Sequence, residues 1–336
     1  MAGGFLVLVL LVVLMPRVAW QQDPYALLPC YDPWSPPDPD TRVKDHTLFA
    51  YQDAFYLVTM VETTKPGGQG GQNESDERDS KMLAGARTED FCTWEYLGVV
   101  LSLGDTGEAD EAALWAPYVV QESETTYLFY TGVNRHLSQS IMLATSTDPG
   151  DPQNWVRRGV VFRPHHDGMI YAGTESWSDA RDPMVLSYQG RYYLYYTGRD
   201  VDGGIVGVAM AETLDGPWQD LGAVLRTPHD IMPESPFVVE AHGFFYLFYN
   251  AAHIGERWQW GPSPFGPWQP PPTEEETGWA YDFLFTGVTW LASYVIGDGQ
   301  RIGFAPVSWD TSCTPPRPLA PQEVAQKVFL PMIVRE

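Results

Sequence analysis

Met232-Pro233-Glu234-Ser235-Pro236-Phe237-Val238-Val239-Glu240-Ala241-His242-Gly243-Phe244-Phe245-Tyr246-Leu247-Phe248-Tyr249 sets a carboxylate at the mouth of a strand, then a short turn, then an aromatic strand. Pro236 precedes Tyr246 by ten residues, as Pro117 precedes Tyr127 and Pro183 precedes Tyr193. A further copy, Asp45-His46 to Tyr56-Leu57-Val58, keeps the interval with His in place of Pro. Repetition on this scale marks a repeat architecture.

Working outward, repeats start at Lys44-Asp45-His46, Trp115-Ala116-Pro117, Arg181-Asp182-Pro183 and Glu234-Ser235-Pro236, with a degraded fifth over Trp279–Leu284, Thr289–Leu291 and Arg301–Ala305. The turn Gly216-Pro217-Trp218 of the third repeat returns as Gly266-Pro267-Trp268 in the fourth. Starts lie roughly 45–70 residues apart, the size of a four-stranded propeller blade with variable loops. Tyr192-Tyr193-Leu194-Tyr195-Tyr196 is apolar on both faces, which suits a strand sandwiched between neighbouring sheets. Aromatic strands broken by Gly and Pro turns point to an all-β fold. The expectation is a five-bladed β-propeller over residues 43–310. A two-sheet sandwich would not return a carboxylate or Trp at one repeat offset.

The flanks differ in character. Residues 1–20 carry the apolar run 5–15, of signal-peptide length and short for a membrane span. Export is expected, with an uncleaved N-terminal anchor as the alternative. Residues 21–42 read as a Pro-rich extended lead-in, and 311–336 as a Pro-rich tail whose apolar end could add an outer strand. The polar stretch between Thr63 and Asp90 reads as a surface loop and holds the glycosylation sequon Asn73-Glu74-Ser75. Of the three cysteines, Cys30 and Cys313 flank the repeats, so a bond between them would tie the ends together; unpaired thiols are the alternative. The cysteine spacings match no metal motif, and His165-His166-Asp167 reads as loop.

The net charge of −23 opposes nucleic-acid binding and suits a soluble protein with a neutral ligand. In a propeller the repeat starts converge on one axial pocket, which here would gather Asp45, Trp115, Asp182, Glu234 and Asp282. Crowded carboxylates push their pKa values apart, leaving one as acid and another as base or nucleophile, the apparatus for cleaving a glycosidic bond. Trp115 could stack on a sugar ring or pack between blades. Arg181 could clamp a sugar hydroxyl or hold Asp182. His46 could bond substrate or cap its strand.

The ordered set Asp45…Trp115-Ala116-Pro117…Asp182-Pro183…Glu234-Ser235-Pro236 resembles the five-bladed propeller glycoside hydrolases of family 43. Those carry an early Asp, a Trp-Ala-Pro segment, a second Asp and a Glu-Gly-Pro segment. Arg181-Asp182-Pro183 also resembles a motif of the related families 32 and 68. The resemblance spans residues 43–310. It implies Asp45 as general base, or nucleophile if configuration is retained, Glu234 as general acid, and Asp182 as the group that raises the pKa of Glu234 and steadies the sugar. The substrate would be an oligo- or polysaccharide containing pentose or fructose. No cofactor is required, and a structural calcium in the axial channel is admissible. A carbohydrate-binding propeller without turnover and a mannoside phosphorylase are the competing readings. His46 stands where the family has Pro, Ser235 where it has Gly or Cys, and the fifth repeat lacks a clear axial His.

Overall fold

The structure, a computed structural model, describes residues 30–63, 80–134, 139–171, 178–251, 254–270, 279–286, 290–297, 299–312 and 314–319. The apolar run 5–15, the sequon at Asn73, Cys313 and the apolar end of the tail lie outside these residues.

The chain folds as a five-bladed β-propeller. Blade one is β1 (Thr41–Tyr51), β2 (Ala54–Thr63), β3 (Met82–Thr88) and β4 (Glu95–Ser102). Blade two is β5 (Ala113–Glu122), β6 (Thr125–Val133), β7 (Ser140–Ser146) and β8 (Val156–Phe162). Blade three is β9 (Ala180–Tyr188), β10 (Arg191–Asp200), β11 (Gly203–Ala211) and β12 (Gln219–Thr227). Blade four is β13 (Pro233–Ala241), β14 (Phe244–Ala251) and β15 (Gly255–Gly261), and blade five is β16 (Trp279–Phe285), β17 (Trp290–Ile296) and β18 (Arg301–Pro306). Each blade is an antiparallel meander. The expected four strands per repeat are therefore met in three blades, and in the last two the described residues give three.

The second strand of each blade carries the core. Tyr130, Tyr195, Tyr196 and Tyr246 are fully buried, with Phe129, Leu57 and Leu128. Rings of this size fill the wedge between radiating sheets, since one sheet cannot cover both its faces. Contrary to the expectation from the sequence, the polar loop does not run to Asp90, because Met82–Thr88 is the strand β3, paired with β2. Leu83, Ala84 and Ala86 are wholly buried. Leu83 packs towards blade two and Ala86 towards blade five, and none of the three is among the β-branched and aromatic residues that announce a strand.

The ring closes through the lead-in. Trp34 exchanges backbone hydrogen bonds with Ile302 of β18, 2.9 Å each way, while the Asp32 amide donates to the Phe91 carbonyl at 2.8 Å. Residues 32–34 thereby stitch blade five to blade one. This turn back along blade one sets Cys30 against Cys92, with Cα atoms 5.3 Å apart and a disulfide between them. The proposed Cys30–Cys313 pair is thus overturned: the ends of the propeller are joined by backbone pairing, and the disulfide pins the lead-in. At the other end, β19 (Ser308–Asp310) and β20 (Arg317–Leu319) form a small hairpin. It lies on blade four, with Trp309 against Tyr246 at 4.7 Å and the Tyr246 hydroxyl donating to the Pro316 carbonyl at 2.8 Å.

Candidate active site

All five inner strands begin with the same irregularity. The ladder skips between Val43 and His46, Trp115 and Tyr118, Arg181 and Met184, Glu234 and Phe237, and Trp279 and Asp282. A β-bulge re-aims side chains and is common beside active sites. Here it turns the repeat starts towards the axis. Ala116, Asp182 and Ser235 each hold a positive φ (43°, 58° and 49°), a left-handed conformation that costs an L-residue about 1–2 kcal/mol. In blades two to four, pairing resumes one residue after the Pro, which has no N–H to give the ladder. His46 has one, and blade one resumes at His46 itself. The departure from Pro thus shifts the bulge of blade one by one residue, onto Lys44-Asp45.

The inner strands of blades one to four wall a single cavity of about 260 Å³, to which Asp45, Trp115, Arg181, Asp182, Glu234 and Ser235 all contribute. A narrow channel, about 30 Å³, adjoins it through the shared Asp45, Asp182 and Ser235 and is lined by His46 and Asp282 as well. Tyr118 and Phe237 line it with ring centroids 5.7 Å apart, and Phe283 packs on Phe237 at 5.3 Å.

Ser235 joins the acids. Its hydroxyl donates to Asp45 Oδ1 at 2.7 Å and its amide to Asp182 Oδ2 at 3.0 Å. Asp182 also accepts from Thr197 Oγ1 at 2.9 Å. Arg181 donates through Nη2 to Glu234 Oε1 at 2.8 Å and through Nη1 to Asp179 at 2.5 Å, with its Nε 3.6 Å from Asp182. The guanidinium therefore engages three carboxylates at once, Glu234 and Asp179 through separate nitrogens and Asp182 beside its Nε, a planar fork that Lys could not reproduce. Asp182 is 7% exposed and the Glu234 side chain 34% exposed. The group facing the open cavity is thus Glu234, with Asp182 behind it.

Burial pushes the Asp182 carboxyl up to about 7, against the opposing charge of Arg181. Burial likewise raises Asp45, against the Ser235 hydrogen bond, and the nearby Glu234 adds to the rise. His46 is 6% exposed, and burial lowers its imidazole to about 4, so it is neutral. Its Nε2 lies 2.9 Å from Ser293 Oγ and its Nδ1 3.2 Å from the Lys44 carbonyl. Both ring nitrogens are engaged by the protein, which places His46 as a tie between blades one and five. Trp115 lines the larger cavity beside Met60. Calcium takes 6–8 oxygen ligands; among the described residues no group of three His, Cys, Asp or Glu is gathered to hold a metal ion. The loop residue His166 bonds Asp220 at 2.9 Å, on blade three.

Asp282 faces the channel rather than the cavity. It accepts from the Leu48 amide at 2.6 Å and so closes blade five onto blade one. Burial pushes it up to about 7. A carboxyl raised on folding binds its proton more tightly in the native state, so the stability it contributes is present below pH about 4 and lost as pH rises through about 7. Asp282→Asn keeps an oxygen for Leu48 and removes the charge. Its Tm should equal or fall below that of the parent at pH 4.5 and exceed it at pH 8; calorimetry showing a pH-independent difference would reject this.

Five cavity residues, Met60 of β2 among them, carry no site signal in the sequence. Ser235 was legible only as a departure from Gly. Lys44 and Glu62, paired at 2.8 Å, and Asn250 line the rim from β1, β2 and β14. The last two come from second strands, whose ends no repeat-start pattern marks.

A five-bladed propeller with three carboxylates around one axial cavity defines a class of carbohydrate-active folds. Residues 40–277 match the family described as Glycosyl hydrolases family 43, and the chain belongs to that family. It is 26% identical over 167 residues to arabinan endo-1,5-alpha-L-arabinosidase C of Emericella nidulans, covering 48% of this chain and 49% of that protein. The alignment thus spans about half the length of that curated relative. Among solved structures, a thermostable family-43 glycoside hydrolase superposes with a TM-score of 0.61 at 14% identity, over 86% of this chain and 96% of that one. An endo-arabinase from Bacteroides thetaiotaomicron gives 0.57 at 13% identity, over 79% and 93%. At these identities the structural matches establish the fold.

Proposed function

We propose that the protein hydrolyses glycosidic bonds of arabinose-containing polysaccharides, with inversion at the anomeric carbon. The observation that carries this is the convergence of Asp45, Asp182 and Glu234, from three blades, on one cavity of about 260 Å³, a volume suited to a monosaccharide unit. Family membership and an arabinan-cleaving relative favour arabinose as that unit.

In this reading Asp45, ionised, takes a proton from a water molecule as its oxygen attacks the anomeric carbon. Glu234 gives its proton to the glycosidic oxygen as the carbon–oxygen bond breaks. The water hydroxyl ends on the sugar, and the leaving chain gains the proton. Asp182 steadies the sugar, while Arg181 holds Glu234 and Asp182 in register. Trp115 offers an aromatic face to the ring. The Cys30–Cys92 bond supports export, since such bonds persist in oxidising compartments.

The test is incubation with α-1,5-linked arabino-oligosaccharides, followed by proton NMR of the first-formed anomer. Arabinose-bearing products of inverted configuration are expected. Retained configuration, or turnover of fructosides only, would overturn the proposal.

A further inference from the structure

Blade four carries an acid where every other blade carries an apolar side chain. The cross-strand row that begins at Glu234 runs to Asn250 on β14 and then to Glu256 on β15. The matching rows are Val43, Val61, Met82 in blade one and Trp115, Thr131, Ile141 in blade two. They are Arg181, Thr197, Val206 in blade three and Trp279, Val295, Ile302 in blade five. The third position is thus Met, Ile, Val and Ile elsewhere. Ile141, Val206 and Ile302 there are wholly buried.

Glu256 is buried too, at 3% exposure, yet no group donates a hydrogen bond to either of its carboxyl oxygens. An uncompensated buried carboxylate is among the costliest groups a core can hold, and such a group keeps its proton. Burial does raise it well above the usual carboxylate range, and Asp45 adds to the rise while the neighbouring Arg257 opposes it. A fold that tolerates such an acid at a packing position retains it for a reason other than packing.

Directly opposite residues on adjacent antiparallel strands share a face, with Cβ atoms about 4.5–5.5 Å apart. Asn250 and Glu256 are such a pair. Asn250 lines the cavity beside Glu234. We propose that Glu256 is a positioning residue of this cavity: its carboxyl donates to the Asn250 amide oxygen, turning the amide N–H groups towards the hydroxyls of a bound saccharide. A carboxyl that keeps its proton is a donor. Without it the amide could present either end, and a cavity already rich in acceptors would lose a fixed donor. The inference rests on the glycosidase reading of the site, and it adds two residues to that reading from strands that carry none of the three acids.

The experiment compares Glu256→Val, the side chain of blade three at this position, with Glu256→Gln and Asn250→Ala. Removing one neutral hydrogen bond to substrate corresponds to roughly a tenfold change. Glu256→Val and Asn250→Ala should each raise KM about tenfold with kcat little altered, the mark of a contact made equally in ground and transition states. Glu256→Gln, which keeps a donor, should recover most of that loss. Thermal melts should show Glu256→Val at least as stable as the parent, so that the KM change is not a folding defect. Calorimetric titration of arabinotriose into the Glu234→Gln protein, with and without Glu256→Val, reads the same contact without turnover. An unaltered KM and arabinotriose affinity for Glu256→Val would overturn the proposal. So would a Glu256→Gln protein as impaired as Glu256→Val, since the group would then act as a charge. A parent that hydrolyses no arabinoside refutes the glycosidase reading, whereas an active parent with an unaltered Glu256→Val refutes this inference alone.

Discussion

Glu234→Gln should lower kcat on unactivated arabino-oligosaccharides by roughly 10²–10⁴-fold, the usual worth of a positioned acid. The substitution is close to isosteric and leaves an oxygen to accept from Arg181 Nη2, now at 2.8 Å. The fold and the Arg181 clamp should therefore persist, and the loss should be one of proton delivery. Leaving-group dependence isolates this. An aryl arabinoside with a nitrophenolate leaving group needs little protonation, so its rate should fall far less than that of arabinotriose. Equal losses on both substrates would mean that Glu234 serves binding or structure. Saccharide affinity should survive, because the cavity keeps its shape, its Trp115 face and its cations.

Asp45→Asn should give a loss of the same order, roughly 10²–10⁴-fold, but blind to the leaving group. The amide oxygen can still accept from Ser235 Oγ, which stands 2.7 Å from Asp45 Oδ1, so the bulge has no reason to move. What disappears is the ability to take a proton from water. The pH profile supplies a second readout. Burial raises Asp45 above its ordinary value, and a base fails once protonated. In the parent, kcat/KM should therefore fall on the acidic side at a pH above the usual carboxylate range. The residual activity of Asp45→Asn should lack that limb. A limb that persists unchanged would assign it to another group, with Asp182 the first candidate.

The repeat was legible because its inner and second strands are aromatic and its bulges recur at a fixed interval. Asp182-Pro183 and Ser235-Pro236 announce the bulge, because Pro cannot pair there and the preceding residue takes a positive φ. Asp45 was legible by interval, while the effect of His46 on the ladder was not, since it depends on an N–H regained at one position. β3 is not legible, because its buried Leu83, Ala84 and Ala86 are neither β-branched nor aromatic and so carry no strand signature. The Cys30–Cys92 bond is not legible, because cysteine positions say nothing of where a Pro-rich lead-in turns; pairing of residues 32–34 with blades one and five decides it. The three carboxylates could be nominated from repeat starts. Ser235, the link between two of them, was visible only as a departure from Gly. Asn250 and Glu256 belong to the site through cross-strand register, and a linear sequence does not display which residues of β13, β14 and β15 face one another.

The central claim is that acids from blades one and four act on one bond as a unit, and a double-mutant cycle measures it directly. Groups that serve one transition state are strongly non-additive. Hydrolysis of arabinotriose should fall in Asp45→Asn and in Glu234→Gln by similar factors, and the double variant should lie within about tenfold of the slower single. If the two losses multiply in full, or if either single variant turns over arabinotriose at the parental rate, the two carboxylates do not share a reacting centre.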